Sequence, residues 1–206
     1  MLNRVALGDE QGFTLIELLA ACLLIGVVVA AFAGLFTSVE QRNSTLQQQA
    51  VLASTARPML DSLAAELESA QCNGTTQPIT AASGTQLTFT TPDRQQPYHL
   101  QKITYTLAGG VFSRTLATST NTGGPPWTMG TAATTGSVSS VTNPVIFDFL
   151  SSSGQDLSPG GATVSAANLP NIARVTMTLV VTPTASHGTG SLTTQSAASL
   201  RTPLCS

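Results

Sequence analysis

A single carboxylate stands inside a long apolar run near the start of the chain. Glu17 is the only charged residue from position 13 to position 36. A charged side chain at the centre of a transmembrane helix costs about 2.5–3.5 kcal/mol on insertion scales, so this acid requires a partner. Cleavage after Gly12 would create an amine on Phe13, one helical turn from Glu17, because positions i and i+4 share a helix face. The spacing therefore predicts an ammonium and a carboxylate at one membrane depth.

Two parallel helices are better placed than one to join these two groups. Within one chain the Phe13 amine and the Glu17 carboxylate are poorly aimed at each other. A neighbouring helix offset by about one turn would bring its amine to the carboxylate, and the penalty of the buried charge would be offset only on correct docking. We therefore interpret Glu17 as an assembly residue and the bond between Gly12 and Phe13 as a cleavage site.

No spacing of residues in the sequence indicates catalysis. The two histidines, His99 and His187, lie in polar segments that lack the patterns of metal-binding motifs. No nucleophile elbow of the G-x-S-x-G type occurs, and no glycine-rich phosphate loop follows a strand. We expect no catalytic residue, no metal site and no cofactor, and therefore a protein that is not an enzyme.

The composition excludes a strongly charged binding surface. Of the 206 residues only 9% are charged, the net charge is -2, and the eight basic residues are scattered singly. A nucleic-acid partner is not expected, because such proteins carry a clustered basic face. The apolar content of 42% favours a packed domain over a disordered chain.

The apolar run has the length of a membrane span. Its 24 residues, 13–36, would rise about 36 Å as a helix, against a hydrocarbon core of roughly 30 Å. A secretory signal peptide is the alternative, because residues 31–33 (A-F-A) match the small-x-small cleavage pattern. Cleavage after Ala33 would release a secreted β-rich binding or adhesion protein. The length of the run and the position of Glu17 argue against that alternative.

An amphipathic helix is expected to follow over residues 37–73. Its apolar positions recur every three or four residues, which is typical of a helix face that packs in a core. Pro58 should kink or divide this helix near Arg57, and Gly74 should follow its end. Glu66 should lie off the apolar stripe. The stripe comprises Leu52, Ala56, Met59, Leu60, Leu63, Leu67 and Ala70.

Beyond residue 74 the hydrophobic period changes to two, which predicts strands. The segment 119–144, rich in Gly, Pro and Thr, is expected to be a long loop, and Asp148 should point outward. We predict an α+β fold in which a long N-terminal helix, first membrane-spanning and then amphipathic, packs against an antiparallel sheet. The predicted strands are 86–91, 102–107, 111–116, 145–150, 172–182 and 192–200.

Residues 12–19, GFTLIELL, resemble the prepilin signature of type IV pilins and pseudopilins. The resemblance implies that prepilin peptidase cuts between Gly12 and Phe13, that the new N-terminal Phe13 is methylated, and that Glu17 guides assembly. It also implies a pilin-like fold. The expected partners are other pilins or pseudopilins, prepilin peptidase, the pilus assembly platform, and membrane lipid before assembly.

The order of elements further resembles that of J-type pseudopilins and W-type minor pilins. This resemblance implies a structural minor subunit of a type IV pilus, a type II secretion pseudopilus or a competence pseudopilus. It divides the chain into a leader (1–12), a membrane and assembly helix (13–36), an amphipathic continuation (37–73) and an exported β-rich domain (74–206). The expected location is the inner membrane, single-pass, and then a pilus or pseudopilus at the cell surface or in the periplasm.

Export would place two of the three cysteines in an oxidising compartment, where a Cys72–Cys205 disulfide is favoured. Two free thiols, or a partner outside the chain, are the alternatives. Cys22 lies in the apolar run and is interpreted as a small packing residue.

Overall fold

The computed structural model of the chain describes residues 14–93, 95–182, 191–200 and 205. The chain divides into two units, the first ending at Ser44 and the second beginning at Thr45. The described residues form one α-helix and eight strands. They are α1 (Leu15–Glu68), β1 (Ile79–Ser83), β2 (Gln86–Pro92), β3 (Leu100–Ala108), β4 (Val111–Thr118), β5 (Ala133–Val138), β6 (Phe147–Ser151), β7 (Ile172–Val181) and β8 (Leu192–Ser199).

Helix α1 is continuous over 54 residues and contains Pro58. The expected division near Arg57 does not occur. The helix also ends at Glu68, earlier than the sequence predicts, because the chain turns to bond β2. The Gln71 backbone N–H donates to the Thr90 carbonyl at 2.8 Å, and the Thr90 hydroxyl donates to the Gln71 carbonyl at 2.5 Å. These bonds replace a further helical turn.

The strands form two antiparallel sheets. The first has the order β1-β2-β3-β4-β5 and the second the order β6-β7-β8. The α+β prediction is confirmed, and a strand is present in each of the six predicted segments. The sequence analysis predicted one sheet and missed β1 and β5, and β5 lies inside the predicted loop 119–144. Asp148 is exposed on β6, as expected.

The core of the second unit lies between the amphipathic part of α1 and both sheets. The apolar stripe packs as predicted, because four of its residues are fully buried and Met59 and Ala70 pack against them; the side chain of Leu52 lies outside the described set. A row of aromatic rings then crosses from the first sheet to the second, with successive centroids 5.6 to 6.4 Å apart. The four stripe residues are Ala56, Leu60, Leu63 and Leu67, and the rings are Phe89, Tyr105, Phe112, Phe147 and Phe149.

Two glycines allow the backbones of the two sheet regions to meet. Gly84 follows β1, and its N–H donates to the Gly161 carbonyl at 2.9 Å. The Gly84 carbonyl accepts the N–H of Ile146 at 2.7 Å, just before β6. A Cβ at Gly84 would lie 2.6 Å from the Gly161 Cα, so no side chain fits at this contact.

Candidate functional site

The N-terminus of α1 is closed by a reciprocal capping box. The Glu17 backbone N–H donates to the Thr14 Oγ1 at 3.4 Å. In return the Glu17 Oε2 accepts the Thr14 backbone N–H at 3.2 Å and its hydroxyl at 3.1 Å. Thr14 is thus the N-cap and Glu17 the third helical residue, the arrangement that T-x-x-E sequences form.

Because of this capping box, Glu17 has hydrogen-bond partners before any neighbour docks, which the sequence did not lead us to expect. The negative carboxylate lies in the first turn of the helix, where the helix dipole stabilises it. It also has hydrogen-bond donors within its own chain, so it is partly satisfied without a neighbour. The sequence analysis considered only the Phe13 amine as a partner for Glu17 and missed Thr14. The pattern T-x-x-E before an apolar run was the available signal.

Gly12 and Phe13, the residues of the expected cleavage and methylation site, lie outside the described residues. The description starts one residue later, at Thr14. The structure therefore places the Glu17 carboxylate and its cap, whereas the position of the Phe13 amine stays a prediction.

The first part of α1 has the properties of a membrane span. The stretch Leu15–Ser44 has 30 residues and contains an 18-residue window with a mean hydropathy of 2.8, so it is long and apolar enough to cross a bilayer. Its large apolar side chains from Leu15 to Val39 are at least half exposed. Cys22 is also exposed and unbridged. The packing role expected for Cys22 therefore has no partner within the described chain.

Cys72 and Cys205 form a disulfide, with their Cα atoms 5.7 Å apart and a sequence separation of 133 residues. Cys72 follows the end of α1 by four positions, next to a short turn in which Asn73 and Thr76 exchange backbone hydrogen bonds of 3.0 and 3.1 Å. The Asn73 side chain also binds both backbone groups of Trp127, accepting its N–H at 2.8 Å and donating to its carbonyl at 3.2 Å. The bridge and the Trp127 loop are thereby fixed to the end of the helix.

A second carboxylate of α1, Glu66, joins the helix to the first sheet. Its Oε2 accepts the Tyr105 hydroxyl at 2.9 Å, and its Oε1 pairs with an Arg114 guanidinium nitrogen at 2.5 Å. Arg114 donates in addition to Thr135 Oγ1 on β5 at 2.5 Å. Glu66 was predicted to lie off the packed stripe. That prediction was incomplete, because the Glu66 side chain is only 23% exposed.

The electrostatics of this cluster follow from burial and from the Glu66 charge. Burial raises the pKa of the Tyr105 phenol well above its usual range, and the adjacent Glu66 carboxylate raises that pKa further. Burial acts to lower the pKa of the Arg114 guanidinium, but its bonds and charge interaction with Glu66 outweigh burial and leave the pKa raised. The cluster is therefore a neutral phenol between a carboxylate and a permanent cation, which suits positioning rather than proton transfer.

His99 is the one histidine inside the described ranges, and its ring pairs with the carboxylate of Asp93. Its Nδ1 lies 3.1 Å from the Asp93 carboxylate. Burial raises the pKa of the Asp93 carboxyl, but the backbone N–H groups of His99 and Gln95 together with the His99 ring lower it below its usual value. The Ser119 hydroxyl accepts the N–H of the neighbouring Leu100 at 3.0 Å. His187 lies outside the described residues.

Metal ligands are likewise not brought together. Within the ranges that the structure describes, no three His, Cys, Asp or Glu side chains group closely enough to hold an ion. The candidate site is the capped, apolar N-terminus of α1 with Glu17.

A comparison with known protein families matches residues 8–33 to the Prokaryotic N-terminal methylation motif. The matched range contains Gly12, Phe13, Thr14 and Glu17 and ends inside the apolar part of α1. No curated protein matches the chain. The matched range thus includes Thr14 and Glu17, the two residues of the capping box.

Proposed function

We propose that the chain is a pilin-type precursor, processed by prepilin peptidase between Gly12 and Phe13 and methylated on Phe13. The mature chain acts as a structural minor subunit of a type IV pilus or of a related pseudopilus. It waits in the inner membrane as a single-pass protein with its β-rich domain exported. Other pilins, the peptidase and the assembly platform are its partners.

One observation carries this proposal. The methylation motif at residues 8–33 overlaps the start of α1, which is apolar for the length of a membrane, and Glu17 is the one acid of the apolar run 13–36. A helix that only anchors a protein gains from this acid no more than the cap of its first turn, against the cost of a charge in the membrane. An acid at that position is useful when a cation of a neighbour must be recognised.

The capping box adds a step to this recognition. Before assembly the Glu17 carboxylate is held by the N–H and hydroxyl of Thr14. In the assembled state we propose that it accepts the Phe13 ammonium of an adjacent subunit, a bond in which both partners are charged, whereas in the cap only the carboxylate is charged. During assembly Glu17 then exchanges its Thr14 donors for the Phe13 ammonium of a neighbour, in a low-dielectric environment. A neighbour in the wrong register does not bring its ammonium to Glu17, so the exchange does not occur.

The first test is the N-terminus of the mature protein. Intact-mass analysis of the membrane and sheared-filament fractions is expected to show loss of residues 1–12 and the gain of one methyl group. A mature protein that begins at Gly34 would instead establish the secreted binding or adhesion protein, and would overturn the pilin proposal.

The second test separates insertion from assembly. Glu17→Gln is expected to insert normally, because removal of a charge lowers the insertion penalty. Its amount in filaments relative to membranes should fall by more than about tenfold, since loss of one partner of a desolvated ion pair exceeds 1.4 kcal/mol. Glu40→Gln is the matched control, an acid of the same helix beyond the apolar run. Equal incorporation of the two variants would exclude Glu17 as the assembly residue.

A further inference from the structure

Three of the four sheet edges in the described structure are protected. The outer side of β1 is covered, because the Ala82 carbonyl accepts the Val164 N–H at 2.9 Å. The outer side of β6 is covered in the same way, with the Leu157 N–H bonded to the Phe149 carbonyl at 2.8 Å. Strand β5 is interrupted by a bulge opposite Arg114. Covering and bulges are the usual means of preventing unwanted strand pairing.

Within the described residues, the outer edge of β8 has none of these protections. The strand pairs with β7 through eight consecutive residues without a register shift. Its sequence, LTTQSAAS, contains no charge and no proline. On its far side no described strand pairs with it. A long, flat and uncharged edge is a ready template for another strand.

The register shows which backbone groups of β8 point away from β7, toward an added strand. Leu200 donates its N–H to Ala173 at 2.8 Å, so even-numbered residues of this strand bond β7. The N–H and C=O groups of the odd-numbered residues therefore point away from β7. These residues are Thr193, Gln195, Ala197 and Ser199, and all four are exposed.

We propose that this edge pairs with the β8 edge of a second copy of the chain, antiparallel about a two-fold axis at Ser196. In this register Thr193 faces Ser199 of the second copy, and Gln195 faces Ala197. Each such hydrogen-bonded pair exchanges two bonds, so the four symmetry-related pairs form roughly eight new backbone hydrogen bonds. The two three-stranded sheets become one continuous sheet of six strands. This proposal does not rest on the pilin proposal.

The side chains favour a second copy over an unrelated strand. On the core face, the register places half-buried Leu192 opposite Leu200, and does so twice by symmetry. Thr194 meets Ala198 and Ser196 meets itself, so small residues oppose small residues. On the exposed face Thr193 and Ser199 can exchange hydroxyl hydrogen bonds. Because no charge lies on β8, the two-fold pairing brings no like charges together.

Cysteine crosslinking in the full-length chain tests this register. With Cys22→Ser as background, Ser196→Cys places two thiols across the two-fold axis, where the Cα separation of a non-hydrogen-bonded pair is about 4.5 Å. That separation falls within the disulfide range of about 4.4–6.8 Å. Mild oxidation of membranes should therefore give a reducible dimer. Thr193→Cys is the matched control, since its two copies would lie about 20 Å apart, six residues along the strand.

The expected result is several-fold more dimer from Ser196→Cys than from Thr193→Cys. Adding Ala197→Pro to Ser196→Cys should lower the dimer, because proline removes an outward N–H and leaves the bonds to β7 intact. Equal dimer from Ser196→Cys and Thr193→Cys would overturn the proposal, as would an adduct with a different protein. The contrast between the two cysteine variants decides the question even if the proline variant fails to fold.

Discussion

At the residue scale, Glu17 and Glu66 of α1 obtain hydrogen-bond donors for their carboxylates in different ways. Glu17 takes its hydrogen bonds from Thr14, three positions before it. Glu66 takes them from Tyr105 and Arg114, 39 and 48 positions away. The hydrogen bonds of Glu17 are local and are encoded in a four-residue pattern. Those of Glu66 form only once the sheet has packed on the helix.

Loss of Glu66 should destabilise the unit that begins at Thr45. Glu66→Ala leaves the Arg114 charge and the Tyr105 hydroxyl without their acceptor, so the free energy of unfolding should fall by about 2–3 kcal/mol. Glu68→Ala is the control, because Glu68 lies on the same helix and is exposed; its effect should stay within about 0.5 kcal/mol. Urea unfolding followed by the fluorescence of the single tryptophan, Trp127, measures both. Equal losses in the two variants would contradict the role assigned to Glu66.

Tyr105 should make the domain sensitive to alkali. Its pKa is raised in the folded state, so folding favours the protonated phenol. The stabilisation is complete below the unfolded-state pKa of about 10 and is lost as pH rises above that value. Tyr105→Phe should be less stable than wild type at neutral pH by about 1–2 kcal/mol, and this difference should shrink above pH 10. A difference that stays constant from pH 8 to pH 11 would contradict the assignment.

At the element scale, the meeting of Gly84 with Gly161 should be intolerant of any side chain. A Cβ at Gly84 would lie 2.6 Å from the Gly161 Cα. Neither atom belongs to the far end of a flexible side chain, so neither can rotate away from the contact. Gly84→Ala should therefore lower the free energy of unfolding by about 2 kcal/mol or more, as overpacking does in cores. Gly136→Ala is the control, since no heavy atom lies within 4 Å of a Cβ built there. Thermal unfolding of the two variants compares them directly, and similar midpoints would mean that the contact relaxes easily.

The elements that could be predicted are those with one buried face. Strand β7 alternates buried and half-buried positions from Val175 to Val181, and the period-two pattern identified it. Strand β5 shows no such pattern, because it lies at a sheet edge and only Val138 is buried. Strand β1 has five residues, too few to reveal a period. The end of α1 was predicted too late, since the bonds from Gln71 to Thr90 on β2 are invisible to local helix-stop signals.

The same distinction holds for the candidate site. The acid, the glycine boundary and the apolar length are all visible in the sequence, because they lie within one short segment. The T-x-x-E cap was visible too and was missed. The cluster of Glu66, Arg114 and Thr135 was not visible, since its members lie on three elements that only the fold brings together.

At the scale of the whole molecule, the disulfide should supply a large share of the stability of the unit that begins at Thr45. It closes a loop with a sequence separation of 133 residues. The chain-entropy model gives about 4–5 kcal/mol for a loop of this size, before any native-state strain. The paired change Cys72→Ser with Cys205→Ser should therefore lower the free energy of unfolding by a comparable amount. Cys22→Ser should leave it unchanged, because Cys22 is unbridged. An unfolding midpoint that is insensitive to reductant would contradict this expectation.

The Cys72–Cys205 disulfide also determines which residues bear a pulling force applied to the molecule. A pulling force that enters through α1 and leaves through any residue beyond Cys205 reaches Cys72 four residues after the helix ends and crosses directly to Cys205. The residues between the two cysteines, which include all eight strands, lie off the loaded path. They stay folded under such a load while the covalent bridge holds. With the bridge reduced, the same force is applied across the sheets, so the chain should extend by more than a hundred residues' contour length at forces that merely stretch the oxidised form.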